Sequence, residues 1–368
     1  MHSEIVSLLK KLVEAHGPSG FEDEVRSVIA DELKNYVDEM YVDSLGNLIT
    51  VKHGSKGEKA PKVMISAHMD EVSLIVKHIE DDGFILFEKH GLIDDRILPA
   101  RRVIIHTRTG KIRGAIGAKP KHLLKEEEAR APLSYKDMWI DVGARNRAEV
   151  EDLGVSAGDP VTFDGDLQVL GKGNFILGRA LDDRLGCAVL IQVMKELSGR
   201  QHEVTIYAVG SVQEEVGARG ARVAAFAINP DIAIALDTTH GMDPAVTTKQ
   251  SAIKLGAGPS IRLMDIYPSN LQGCITPAWL RDMVLKTAKE KNIPYQLDVL
   301  SGTFLDTSTA HLTAQGVPSI GILIPRRYGH TPVELACIDD IVNATSLLSA
   351  FLQEITAEDI TKHKVRIK

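Results

Sequence analysis

The chain has 368 residues, of which 44% are hydrophobic and 25% charged, with a formal net charge of −7. That length accommodates a large core plus a second domain, and the acidic balance offers no basic footprint for nucleic acid. The apolar runs are strand-length, far short of the ~20 residues that span a bilayer. Cys187, Cys274 and Cys337 lie far apart with no Cys-x-x-Cys spacing, so free buried thiols are expected. The acidic, amphipathic start lacks the regions of a secretory leader, and a cytoplasmic protein is expected.

Ile5, Leu8, Leu9, Leu12 and Val13 recur at helical spacing and predict a helix over 3–16. Gly17-Pro18-Ser19-Gly20 breaks it, and a second helix runs from Phe21 to about Tyr36 with Ser19 or Glu22 near its start. Strands are expected at 40–42, 48–51 and 63–66, with 43–47 as a turn. The texture then changes. Residues 72–171 carry short strand-like pieces, among them 84–88, 103–107, 111–116 and 161–163, with a short helical turn at 147–153. They predict a compact inserted domain, a small β-barrel. Residues 122–134, with Lys125-Glu126-Glu127-Glu128, read as a mobile or partner-dependent loop.

Helix and strand alternate from Phe175 onward. Helices are expected at 184–197, 219–227, 277–291, 307–315 and 338–355. Strands are expected at 204–209, 232–236, 296–300 and 319–324. This predicts an α/β fold with a mostly parallel sheet sandwiched by helices. Residues 1–71 and 172–368 build it together, and 72–171 are inserted between them.

Five apolar runs each lead to a residue that binds metals: His68-Met69-Asp70, Asp182-Asp183, Glu214-Glu215, Asp237 and His330. Open α/β sheets place ligands at the carboxyl ends of their strands, so the five point to one site. Histidines, aspartates and adjacent glutamates are the donor set of a two-metal hydrolase. His68 and Asp70 are two apart, so Asp70 can reach the ring nitrogen of His68 that a metal leaves free. One of Asp182 and Asp183 can cap the following helix, which leaves the other for metals; Asp182 is the better bridge. Of Glu214 and Glu215, one can bind metal while its neighbour takes a proton from bound water. Asp237 could also be a helix cap, and a lone loop histidine such as His330 gains weight only within the set. His240 is expected on the outgoing loop.

With these residues assembled, the chain resembles the tetrahedral and glutamyl aminopeptidases, family forty-two of the metallopeptidases. The motifs that carry the resemblance are Gly17-Pro18-Ser19-Gly20-Phe21-Glu22, Ser66-Ala67-His68-Met69-Asp70-Glu71, Gly178-Arg179-Ala180-Leu181-Asp182-Asp183-Arg184, Gln213-Glu214-Glu215-Val216-Gly217 and Arg327-Tyr328-Gly329-His330-Thr331-Pro332. The resemblance implies a zinc-exopeptidase-like fold and two divalent metal ions per subunit, zinc or cobalt. His68 and Asp237 would hold one, Glu215 and His330 the other, and Asp182 would bridge them. Glu214 would be the general base that helps a metal-bound hydroxide attack, and Asp70 would orient His68. The implied activity is removal of N-terminal residues from short peptides. The implied assembly is a homo-oligomer, with the inserted domain making dimers that build a tetrahedral dodecamer.

One stretch departs from the family pattern. Where many relatives have a compact Gly-Thr-Asp-Ala, this chain has Ser301-Gly302-Thr303-Phe304-Leu305-Asp306-Thr307-Ser308-Thr309-Ala310-His311, with the acidic residue displaced and a bulky Phe304. The preferred first residue is therefore left open, with Arg262 and Lys254 either favouring an acidic one or serving equally as surface charges. A deacylase or dipeptidase on the same fold is the alternative reading. A glycosidase ranks lower, because adjacent glutamates do not face each other across a sugar. A non-catalytic scaffold ranks low because the whole donor set is present.

Overall fold

A computed structural model describes residues 2–127, 132–269 and 271–363. Its centre is a twelve-stranded mixed sheet. The four inner strands, Thr205–Ser211, Lys62–His68, Ile232–His240 and Ser319–Arg327, lie side by side in that order and run parallel. The last two are buried along nearly their whole length, as parallel strands covered on both faces must be. The flanking strands are mostly antiparallel: Leu48–Lys52 on one side, Glu334–Cys337 and then Phe175–Gly178 on the other.

Alternation along each strand feeds two cores. Val63 and Ile65 face one core, packed with helices His2–Glu14, Leu181–Leu197 and Ile338–Glu354. Met64 faces the other, against helix Arg219–Ile228. Strands between Ser73 and Phe163 close a separate six-stranded barrel with its own core of Leu74, Ile85, Ile105, Ile140 and Val161.

Some elements differ from the sequence expectation. The hairpin Ser260–Tyr267/Gln272–Ile275 was not anticipated, because Arg262 and Asp265 interrupt its apolar pattern. The helix expected over 307–315 spans only Thr307–Ala310. Of the loop expected over 122–134, residues 128–131 lie outside the described residues. All three cysteines are free and buried. Among the described residues, no helix is long and apolar enough to cross a membrane.

Candidate metal centre

The carboxyl ends of the parallel strands bring the ligand-type residues into one pocket. His68 is the last residue of its strand. Its Nε2 lies 3.2 Å from Asp182 Oδ1 and 3.9 Å from Asp237 Oδ1. Its Nδ1 is 3.1 Å from the backbone carbonyl of Asp70 and 3.4 Å from that residue's carboxylate. Asp70 does more than face the ring. It accepts hydrogen bonds from the Ser19 hydroxyl at 2.7 Å, from Glu214 N–H at 2.8 Å and from Glu215 N–H at 3.1 Å. One carboxylate thus ties the His68 turn to the Glu214-Glu215 turn.

The Asp182-Asp183 pair divides its work. Asp183 Oδ1 accepts the Gly186 N–H at 2.8 Å, so it caps the regular part of the helix. Gly186 has no side chain for a reason: a Cβ there would meet Asp183 Oδ2 at 2.3 Å. Asp182 has non-helical backbone angles and turns into the pocket. Its Oδ1 faces His68, while its Oδ2 is 3.5 Å from His330 Nε2.

His330 Nε2 is also 3.5 Å from Glu215 Oε2. Its Nδ1 lies 2.8 Å from the carbonyl of Leu92, a residue of the barrel loop, which turns Nε2 toward the pocket. Glu334 joins the two halves. Its carboxylate accepts Asp182 N–H at 2.9 Å and His330 N–H at 2.8 Å. Two donor groups result, His68–Asp182–Asp237 and Asp182–Glu215–His330, and Asp182 belongs to both.

The electrostatics suit multivalent cations. Burial pushes the Glu214 carboxyl well above the usual range, with Asp237 and Glu215 adding repulsion against the pull of His68. Burial and then Asp182 push Asp237 the same way. Burial lifts Glu215 to about 7. Burial would depress both histidines, but Asp182 and Asp70 hold His68 well above an ordinary imidazole, and Glu215 and Asp182 hold His330 at about 9. A crowded set of buried carboxylates must hold protons or cations. Glu215 Oε1 is buried with no hydrogen-bond partner among the described residues. The donor set of carboxylates and imidazoles fits divalent metals of the zinc and cobalt kind.

Comparison with known proteins matches this architecture throughout. The model of the M42 glutamyl aminopeptidase family matches residues 46–347. The chain belongs to that family. It is 36% identical to the lysyl aminopeptidase of Pyrococcus furiosus, over 96% of this chain and 98% of that protein. An aminopeptidase structure from Desulfurococcus kamchatkensis superposes with a TM-score of 0.93 at 40% identity, covering 100% of this chain and 99% of the other. The TET1 peptidase of Pyrococcus horikoshii, which can assemble into a tetrahedron or a large octahedral shell, gives 0.84 at 32% identity, over 95% of this chain and 100% of that one. The protein is accordingly a peptide hydrolase of the aminopeptidase type, and its family implies use of divalent metal.

In this M42 aminopeptidase the donor groups open into a cleft of ≈ 550 Å³, walled by Leu92, Tyr267, Gln272, Phe304 and Thr331. Gly302, Thr303, Phe304 and Leu305 of the departing stretch are part of that wall, and its Asp306 accepts the Ser211 hydroxyl at 2.6 Å. Neither basic residue suggested for acid recognition borders the cleft. Arg262 is buried against Asp298 (2.9 Å) and bonded to Thr239 and Thr303, and Lys254 is exposed elsewhere. His240 ends its strand and lines the cleft outside both donor groups. Desolvation within the cleft and then Arg326 lower its pKa to about 4. Sequence reasoning missed Arg326, Glu334 and Leu92. Arg326 and Glu334 are charged residues in or beside apolar runs, a signal that was available. Leu92 acts through its backbone carbonyl, which no residue type signals.

Proposed function

We infer that this enzyme removes the first residue of short peptides at a centre of two divalent cations. The observation that carries the reading is the sharing of Asp182 by two donor groups, one fully buried and one partly buried. His68 and Asp237 complete one group, Glu215 and His330 the other. Bound cations would supply Lewis-acid polarisation of the carbonyl and an acidified water. Glu214 stands outside both groups, 4.0 Å from His68 Nε2, with its carboxyl pushed well above the usual range by burial. It takes a proton from the attacking water as the C–O bond forms, and returns it to the departing amine as the C–N bond breaks. Asp70 orients His68 and fixes the Glu214 backbone.

Residues 72–171 act as an inserted assembly domain. Dimers formed through it build a tetrahedral dodecamer, a reading supported by the assembly of the Pyrococcus horikoshii relative. The free thiols suit a reducing, cytoplasmic compartment. A panel of free-amine and N-acylated peptides tests the reaction class. Cleavage of the free-amine set at the first bond is expected. Cleavage of the acylated set alone would replace this reading with a deacylase, and action on dipeptides alone with a dipeptidase.

A further inference from the structure

Arg326 is the cation that the donor set does not require. It lies on strand Ser319–Arg327, 4% exposed, and borders the cleft beside the shared carboxylate. Its Nη2 donates to Asp182 Oδ2. Its Nε donates to the Thr238 hydroxyl at 2.7 Å and is 3.7 Å from Glu334 Oε1. Its Nη1 is buried without a hydrogen-bond partner among the described residues. That nitrogen occupies the space of the missing side chain at Gly329, where a Cβ would stand 1.2 Å from it. The guanidinium is therefore clamped between Thr238, Glu334 and the Gly329 backbone, unlike a surface arginine free to swing away.

The two oxygens of Asp182 have different neighbours. Oδ1 faces His68 and the group completed by Asp237. Oδ2 faces His330 and the group completed by Glu215, and it is the oxygen that Arg326 holds. A cation entering the second group must compete for that oxygen and sit beside a fixed, buried positive charge. A cation entering the first group uses the other oxygen. Building on the two-cation reading above, we propose that Arg326 makes the two positions unequal: His68–Asp182–Asp237 binds its cation tightly, and Asp182–Glu215–His330 binds weakly and exchanges. Arg326 is a positioning residue that sets occupancy of the second position and takes no part in bond-making.

The test is titration of the metal-stripped full-length protein with cobalt, followed by calorimetry and by the visible absorption of the bound ion. The wild type shows two events separated by at least ~10-fold in affinity, the scale set by one unscreened neighbouring charge. His330→Ala keeps the tight event and loses the weak one. Arg326→Met tightens the weak event by ~10-fold or more and moves the tight one less, because the guanidinium holds the Asp182 oxygen of the second position directly and reaches Asp237 of the first only through space. Gly329→Ala, whose Cβ displaces the guanidinium without removing it, moves the weak event in the same direction and serves where Arg326→Met does not fold. Equal affinities in the wild type, loss of the tight event in His330→Ala, or a weak event unmoved in the Arg326 and Gly329 variants would overturn the proposal. A wild type that binds no cobalt would overturn the two-cation reading itself, which separates the two failures.

Discussion

Replacing Glu71 by Gln should cost this protein several kcal/mol of stability without touching a ligand-type residue. Glu71 is 3% exposed and follows Asp70 directly. Its carboxylate accepts Arg179 Nη1 at 2.5 Å, Arg184 Nη2 at 3.2 Å and the Gly17 N–H at 2.9 Å. Those bonds join the segment after the first helix, the turn after His68 and the start of the helix behind Asp182. Burial alone would raise the Glu71 carboxyl, but Arg179 and then Arg184 hold it at about 2, against an ordinary 4.5. At 1.36 kcal/mol per pH unit that difference corresponds to about 3 kcal/mol. Removing one partner of a buried ion network costs about 3–5 kcal/mol by itself, because the remaining charges stay buried. Both routes give the same scale. The folded-state pKa is depressed, so the contribution is fully present above pH 4.5 and is lost as the pH falls through about 2. Urea unfolding of wild type and Glu71→Gln at neutral pH, both stripped of metal, measures the difference. A loss below about 1 kcal/mol at unchanged slope would refute the reasoning, since a buried network cannot lose its central charge so cheaply.

Three other outcomes are expected. Glu214→Gln should lower kcat by about 10²–10⁴, the usual worth of a positioned general base, at unchanged metal content; metal analysis beside kinetics checks it. Gly186→Ala should place a Cβ 2.3 Å from Asp183 Oδ2, push the cap out of place and lower metal retention on dialysis, with Glu214→Gln as the retaining control. His16 and His106 share the Thr162 hydroxyl at 2.7 and 2.8 Å. Burial, with Arg179 adding to it at His16 and Lys111 at His106, lowers them to about 3 and about 4. Below their ordinary 6.5 the unfolded chain takes up protons that the folded one refuses. Thermal stability should therefore fall as the pH drops from 6.5 toward 4, and His16→Gln/His106→Gln should flatten that slope.

The ligand-type residues could be read as one group because apolar runs in a parallel sheet end on one edge. His68, Asp182, Glu215, Asp237 and His330 do approach one another there. Asp237 shows the limit of such reading, since its strand runs on to His240 and ends four residues later than the apolar run. The division between Asp182 and Asp183 was half legible: either could cap, and the Gly186 contact decides for Asp183. Asp70 was readable as a partner of His68, but its bonds to the Glu214 and Glu215 N–H groups depend on two turns meeting in space. The Leu92 carbonyl behind His330 lies 238 residues away in a separate barrel, so only the tertiary fold could reveal it. The hairpin at Ser260–Tyr267 was hidden because Arg262 is buried with Asp298, a pairing that looks like surface polarity in one dimension.

The central claim is a two-cation aminopeptidase centre built on Asp182. The direct measurement is hydrolysis of a panel of amino-acyl chromogenic substrates, with metal content determined on the same sample before and after chelation. The account predicts about two metals per chain, activity that disappears on chelation, and recovery with zinc or cobalt. Free-amine hydrolysis that persists after the metal is gone, or a metal-loaded protein inactive on every free-amine substrate, would contradict it.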